Sequence, residues 1–301
     1  MAKRRTRSAG PVRILAVALV ALLLWGANAL LKDRNRDAVA PSSSPLAGET
    51  LTLQVLDVGQ GSAALLTLPG GKRMLVDAGS KNTGAPEALA ELGVQRLDLV
   101  VATHPHEDHI GSLAEVIGQC DVGAVYMPRL PKDLTPTTAT YRNLLTAIKE
   151  KGLRVHAPAQ GEVLYDENGV VIRSLSDPAG DYDNVNDCSL ILMVQYGEIS
   201  LLLPGDSGPE PQQAAMAAYD VSADAYLVAH HGSADYAEGW IEAIAPAQAL
   251  ISCGEDNSYG HPSARVLEDL ERAQARVWRT DRNGAVTLVT DGEQLTVTAE
   301  R

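Results

Sequence analysis

Three of the seven histidines fall within seven residues, Thr103-His104-Pro105-His106-Glu107-Asp108-His109, directly after the strand-like run LDLVV. In an extended segment residues i and i+2 point the same way, so His104 and His106 face one spot, and Pro105 keeps His104 extended. Asp108 and His109 follow at a turn ahead of Gly111 and an apolar helix. Imidazoles mixed with carboxylates suit borderline divalent cations, and this set has enough donors for two ions side by side. Further donors must come from elsewhere in the chain. Asp206 ends the apolar run LLLPGD, where its carboxylate can project from a sheet edge and bridge both ions. The run YLVAHHGS presents His230 and His231 at another strand end; His230 is assigned to the metals. His231 is left open between ligation and a place behind the ligands or facing substrate. The expected cofactor is therefore two divalent metal ions, zinc or manganese, held by His104, His106, Asp108, His109, Asp206 and His230. Two such cations about 3.5–4 Å apart hold a bridging hydroxide at neutral pH, so hydrolysis is the expected reaction.

These side chains need a scaffold that brings strand ends together. LTLQVLDV, AALLTL and RMLVDAG read as strands, the last two joined by a Pro-Gly-Gly hairpin. PEALAELG reads as helix, LDLVVAT as buried strand and SLAEVIGQC as helix. VGAVYMP, LRVHAP, EVLYD, VVIRSL, SLILMVQYG and ISLLLPGD continue as strands, with TYRNLLTAIKEKG as a helix among them. PQQAAMAAYD, WIEAIA and SARVLEDLERAQ are helical; ADAYLVAHHGS, AQALISCG, RVWRTD, AVTLVTDG and QLTVTAE are strands. Two strand-rich halves interleaved with helices predict two sheets packed face to face with helices outside, an α/β sandwich. His261 precedes the SARVLEDLERAQ helix, with Pro262 at its expected first position. His156 has no motif around it and is expected to pack. Arg265, Arg272, Arg276 and Arg279 are broken up by acids and read as a solvated face rather than a nucleic-acid stripe.

The first 49 residues differ in kind. Residues 1–13 are basic, with Lys3, Arg4, Arg5, Arg7 and Arg13 and no acid, and residues 14–31 are an uncharged apolar run. That pattern predicts a single-pass membrane anchor with the rest of the chain outside the cytoplasm, or a signal peptide cleaved near Ala29 that would leave a secreted protein. Residues 32–49 read as a linker and 50–301 as the folded domain. The domain carries 17 Lys and Arg against 35 Asp and Glu, a net charge of −18, which repels polyanions and makes non-specific nucleic-acid binding unfavourable. Cys120, Cys188 and Cys253 are odd in number and form no C-x-x-C pair, so at most one bridge could form.

In order, LDVGQGSAALL, VDAGS, THPHEDHIGS, LLLPGDS, AHHGS, YGHPS and WRTDRNGAV resemble the C-terminal hydrolase domain of ComEC-type competence proteins and their free-standing relatives, within the metallo-β-lactamase superfamily. The resemblance runs over residues 51–299. It implies a four-layer αββα sandwich with a binuclear site at the sheet edges. It also implies a phosphodiesterase or nuclease acting outside the membrane, with a role in DNA uptake, a phosphodiester substrate such as single-stranded DNA and no protein partner. A cell-wall or teichoic-acid phosphoesterase, or a surface-anchored binding module that keeps the fold without turnover, are the alternatives. In the family the Asp of V-D-A-G steadies a ligating imidazole through its second nitrogen, a role that falls on Asp77; Asp57 follows a neighbouring strand and is a candidate for similar support. Asp108 would also orient the nucleophile, and His231 or His261 would donate a proton to the leaving group or hold a phosphoryl oxygen. Two departures stand out. Where many members have a further histidine ligand this chain reads Asn184-Val185-Asn186-Asp187, making Asn186 or Asp187 a candidate oxygen donor. Ser62 stands where the D-V-G-Q-G-D motif has its last carboxylate.

Overall fold

Residues 49–301 are described by the computed structural model; the leader, the apolar run and the linker through residue 48 lie outside the described residues. Among the described residues no helix is long and apolar enough to cross a membrane. The strands, in chain order, are β1 (Leu51–Val55), β2 (Ala64–Thr67), β3 (Arg73–Val76), β4 (Arg96–Val101), β5 (Asp121–Tyr126), β6 (Val155–His156), β7 (Val163–Glu167) and β8 (Val170–Ser174). They continue as β9 (Leu192–Tyr196), β10 (Ile199–Leu203), β11 (Ala225–Leu227), β12 (Gln248–Ile251), β13 (Arg276–Arg279), β14 (Val286–Thr290) and β15 (Leu295–Ala299).

They form an eight-stranded sheet in the order β15-β14-β1-β2-β3-β4-β5-β6 and a seven-stranded sheet in the order β13-β12-β11-β10-β9-β8-β7. Side-chain alternation explains why both faces of each sheet are covered. Leu53 and Val55 of β1, Leu66 of β2 and Leu99 and Val101 of β4 enter a core shared with Leu192, Val194 and Leu203 of the second sheet. Their neighbours Leu65, Leu75 and Val100 point the other way, against Leu89, Ile117 and Leu144 of helices Ala85–Glu91, Leu113–Gln119 and Ala139–Glu150. On the far face of the second sheet, Leu202, Tyr226 and Ala249 pack with Ala215, Trp240 and Leu270 of helices Pro209–Ala218, Trp240–Ile244 and Ala264–Arg272. Each fully buried Leu or Val contributes about 1.5–3 kcal/mol, so three such layers hold both sheets rigidly.

The sequence halves do not map one to one onto the sheets. The β14–β15 hairpin returns to the first sheet by antiparallel pairing of β14 with β1, and β7 and β8 join the second. Pro262 is also displaced from its expected place: the helix begins at Ala264, with the Ser263 hydroxyl as cap accepting from the Val266 N–H. The arginines on and after that helix are engaged locally: Arg265 lies over the Tyr236 ring, Arg276 over Trp278, Arg272 pairs with Asp269 and Arg279 with Asp281. They form no stripe. All three cysteines are free and buried. His156 sits on the short β6 with its ring 5.5 Å from that of Tyr126.

β3, β4, β5 and β6 run parallel in one sheet, and β10, β11, β12 and β13 in the other. The loops leaving the carboxyl ends of β3, β4, β10, β11 and β12 meet where the two sheets adjoin. The Leu190 N–H donates to the Thr103 carbonyl, the Ser252 hydroxyl to the Gly61 carbonyl, and the His230 N–H to the Gly205 carbonyl. Such an edge is where α/β proteins place their ligands.

Candidate metal centre

Asp206, 3% exposed, is the hub. Its Oδ1 lies 3.1 Å from His109 Nε2, and its Oδ2 lies 3.8 Å from His104 Nε2, 3.7 Å from His230 Nε2 and 3.8 Å from His231 Nε2. The tightest donor group is Asp108, His109, Asp206 and His231, whose ligand atoms lie within 4.8 Å of one another. Beside this group, His104 Nε2 and His106 Nδ1 stand 3.1 Å apart, as the i, i+2 spacing predicts. Asp108 and His109 lie on a short helix, Glu107–Ile110, with His106 as its N-cap.

The nitrogens that face away from this centre fix which lone pairs face in. The His109 ring lies with Nδ1 2.7 Å from Asp77 Oδ2, and His231 Nδ1 lies 2.9 Å from the Ser252 carbonyl oxygen. Both partners are pure acceptors, so each Nδ1 carries the proton and each Nε2 offers a lone pair. Those two Nε2 atoms are only 3.3 Å apart. The Thr103 hydroxyl donates to Asp77 Oδ2 at 2.7 Å, leaving its oxygen to accept from His104 Nδ1 at 3.3 Å, which likewise turns the His104 Nε2 lone pair inward. Lone pairs from three buried imidazoles, aimed with two carboxylates at one space, repel one another unless a cation lies between them. The donor set therefore fits divalent ions, with the nitrogen and oxygen mix expected of zinc or manganese sites.

The ionisation of these groups shows the same demand for positive charge. Burial works against the charged forms of Asp206 and Asp108. The surrounding imidazoles His109, His231 and, for Asp206, His104 outweigh it and hold both carboxyls below their usual range. Burial also opposes charging of His109 and His231, but the carboxylates of Asp206 and Asp77 for the first, and of Asp206 and Asp108 for the second, raise both. Without a metal, protons take its place. His104, by contrast, is pushed well down by burial and by the charge of His109, and burial lowers His106 and His261.

The arrangement fills one place that the sequence left open, that of His231, and overturns one expectation, that for Asp57. His230 and His231 both adopt left-handed backbone conformations, φ 49° and 54°, which swing the second imidazole, 3% exposed, into the donor group. His230 also reaches Asp206, with Nε2 3.7 Å from Oδ2, and its Nε2 is 3.5 Å from Asn186 Nδ2 and its ring 5.6 Å from that of His261. Asp57 does not join the site. It is exposed, accepts from the Gly59 N–H and pairs with Arg301 Nη2 at 2.6 Å, so it serves a turn and a surface ion pair rather than a ligating imidazole.

Asp77, by contrast, is fully buried and takes the Thr103 N–H, the Thr103 hydroxyl and the His109 ring on its two oxygens. Asp187 is taken up by the Gly208 N–H and Asn184, while Asn186 approaches the site through its Nδ2, 3.5 Å from His230 Nε2. Ser62 fastens loops with its backbone, its N–H donating to the Asp108 carbonyl and its carbonyl accepting from the Gly79 N–H. Thr103, Ser252 and Ser189, whose hydroxyl accepts from the Asp206 N–H, are partners that sequence reasoning missed; only Thr103, inside the histidine motif, carried any signal. A cavity of about 170 Å³ opens between Pro128, Arg129, Tyr182, Asp187 and Ser189.

Residues 56–254 match the family model described as Metallo-beta-lactamase superfamily. Among curated proteins, ComE operon protein 3 of Bacillus subtilis (strain 168) is 30% identical over 259 residues, covering 78% of this chain and 32% of that protein. Competence protein ComA of Neisseria gonorrhoeae is 26% identical over 238 residues, covering 77% and 31%. Recombination protein 2 of Haemophilus influenzae is 28% identical over 250 residues, covering 80% and 29%. The chain thus spans about a third of the length of these relatives. Among solved structures, CmlA, a diiron beta-hydroxylase from Streptomyces venezuelae, superposes with TM-score 0.51 at 16% identity, over 78% of this chain and 53% of that one. Igni18, a metallo hydrolase from Ignicoccus hospitalis, gives 0.50 at 16%, over 78% and 98%. At such identities the likeness concerns the fold alone.

Proposed function

The chain belongs to the metallo-β-lactamase superfamily, and from that premise and the donor geometry we propose that it hydrolyses phosphodiesters, single-stranded DNA foremost, with two divalent cations. The observation that carries this reading is the buried carboxylate of Asp206, within 3.8 Å of the Nε2 atoms of His104, His109, His230 and His231, with Asp108 and His106 completing the donor set. When bound, a cation pair polarises the attacked group and lowers the pKa of water so that it is nucleophilic at neutral pH.

The chain's own residues supply the rest. Asp77 and the Ser252 carbonyl keep His109 and His231 in the ligating tautomer. Asp108, one-third exposed, is the carboxylate of the group that reaches the opening, where it orients water. His230, His261 and Asn186 line the rim, with Asn186 Oδ1, His230 Nδ1 and His261 Nδ1 buried and without hydrogen-bond partners. The two imidazole nitrogens can donate to a phosphoryl oxygen or to its leaving oxygen, whereas Asn186 Oδ1 can only accept. His230 takes the place beside substrate that the sequence suggested for His231.

The similarity to competence proteins supports DNA as the substrate class, and the basic and apolar leader supports a place at the outer face of the membrane. The test is hydrolysis of an aryl phosphodiester and of single-stranded DNA by the full chain with Mn²⁺ or Zn²⁺, against a chelator control. Metal-dependent turnover is expected, and inactivity towards every phosphodiester tried would remove the reading.

A further inference from the structure

We propose that Tyr259 is a stacking platform for a nucleobase next to the bound phosphodiester, making it a specificity-determining residue; the inference rests on the phosphodiester reading above. Tyr259 is 70% exposed, the most exposed large hydrophobic side chain among the described residues. Its ring is stacked on His261, centroids 5.8 Å apart and planes 27° from parallel, so one face is backed and the other is open to water. His261 in turn meets His230 edge-on at 5.6 Å, and His230 Nε2 lies 3.7 Å from Asp206 Oδ2. A continuous row of rings therefore leads from the centre to a free aromatic face.

That face is held in place. Asn257 staples the loop that carries it: its Oδ1 accepts from the His261 N–H at 3.0 Å, and its Nδ2 donates to the carbonyls of His261 at 2.6 Å and Gly254 at 3.0 Å. The Gly254 N–H is bound by Gln60 Oε1 at 3.1 Å, which ties the loop to the first sheet. A Cβ on Gly232 would come within 2.6 Å of Pro262, so the His230–His231 turn and this loop also pack without a gap. An exposed aromatic side chain fixed in this way loses little freedom when a flat ring settles on it.

His261 and His230 stand between that face and Asp206 and supply the polar complement. Their Nδ1 atoms have no hydrogen-bond partner and can donate to a phosphate oxygen. A ligand that answers both features carries a phosphate with a flat ring one linkage away, the make-up of a nucleotide. Stacking tolerates every base, and alanine substitution of such a platform weakens binding by about 5- to 150-fold.

The test compares binding of the Mn²⁺-loaded full chain to a fluorescent single-stranded hexanucleotide with phosphorothioate linkages and to its abasic counterpart, for parent, Tyr259→Ala and Tyr259→Phe. Tighter binding of the base-bearing strand by the parent is expected, with that preference cut about 5- to 150-fold by alanine and kept by phenylalanine. Equal affinity for both strands in the parent, no binding of the base-bearing strand, or a preference that survives Tyr259→Ala would overturn the proposal. So would a loss confined to a choline phosphodiester, which would mark Tyr259 as a cation site. Hydrolysis of the unmodified strands separates the two levels. Cleavage of neither strand removes the phosphodiester reading, whereas equal cleavage of both by parent and Tyr259→Ala removes only the platform.

Discussion

Replacing Asp77 by Asn should disarm the metal centre without touching a ligand. Asp77 sits at φ 59°, a conformation Asn tolerates as readily as Asp, so the backbone has no reason to move. The carboxylate accepts three hydrogen bonds: Thr103 N–H at 2.8 Å on Oδ1, and the Thr103 hydroxyl and His109 Nδ1 at 2.7 Å each on Oδ2. An amide has one oxygen for these donors. If that oxygen keeps the Thr103 N–H, the NH₂ faces His109 and the hydroxyl. His109 must then accept through Nδ1 and carry its proton on Nε2, where the metal needs a lone pair. The Thr103 hydroxyl must also turn its hydrogen away, towards His104 Nδ1 3.3 Å off, which forces the same tautomer on His104. One substitution thus reverses two of the imidazoles around Asp206. If the amide flips instead, its NH₂ meets the Thr103 N–H, and a buried donor without a partner costs about 1–3 kcal/mol. Loss of such a supporting hydrogen bond typically weakens metal binding about 10- to 100-fold, or about 1.4–2.8 kcal/mol. Competition with a chromophoric chelator measures the affinity, and denaturant unfolding of the metal-free chain measures the stability. If both match the parent, Asp77 does not set the tautomers and the account of the centre fails.

His231→Ala should lose about half of the bound metal by elemental analysis. His230→Ala should keep full metal content while kcat/KM falls by at least about 100-fold; metal loss in the His230 variant instead would restore it as a ligand. Metal affinity should rise with pH. His109 and His231 are raised above the ordinary value of about 6.5 by neighbouring carboxylates, so protons compete for the same lone pairs at neutral pH. By the same sign, in the metal-free chain their protonation contributes stability that is complete below about pH 6.5 and lost as pH rises through their folded pKa values. Unfolding with chelator present should therefore show the metal-free chain weakening on the alkaline side, and a stability that rises there would contradict the assignment. Gly232→Ala, at φ 84° with Pro262 Cβ 2.6 Å from the new methyl, should cost about 1–3 kcal/mol or more in thermal unfolding. Finally, the net charge of −18 on residues 50–301 should make kcat/KM towards DNA rise, not fall, as monovalent salt increases from about 10 to about 150 mM, because the Debye length shrinks from about 30 to about 8 Å. A steep decline with salt would mean that a local basic track governs binding.

The layer architecture was legible because alternation and helical period are local properties. Leu51, Leu53 and Val55 announce one buried face of β1, and Leu144 and Ile148 one face of the helix Ala139–Glu150. The ligand-bearing loops could be read for the same reason, since each follows an apolar run whose carboxyl end must emerge at a sheet edge. Sheet membership was harder. Nothing within AVTLVTDG states that β14 pairs with β1, more than two hundred residues earlier, rather than with β13 just before it.

What the sequence misread or left open has two separate causes. Asp57 and Asp77 look alike in sequence, each following a strand, and β1 and β3 point the same way because both pair antiparallel with β2. Strand order separates them. β3 is the neighbour of β4, which delivers the histidines, while β1 is three strands from β4. At about 4.8 Å per strand, Asp57 emerges about 14 Å along the edge, out of reach of any ligating imidazole. Order in a sheet is a long-range property that a single sequence does not carry. The His230–His231 pair fails on a shorter scale. In an extended strand adjacent side chains point to opposite faces, so nothing in the run itself brings both imidazoles to one centre, and the place of His231 stayed open. Two successive left-handed residues undo that alternation. Such conformations are uncommon for non-glycine residues and recur at functional sites, where the surroundings hold them. Here the hold is identifiable: the His230 N–H is tied to the Gly205 carbonyl, one residue from Asp206, and His231 Nδ1–H to the Ser252 carbonyl on the next strand. The turn that defeats the sequence pattern is therefore anchored at both ends to the loops that carry the centre.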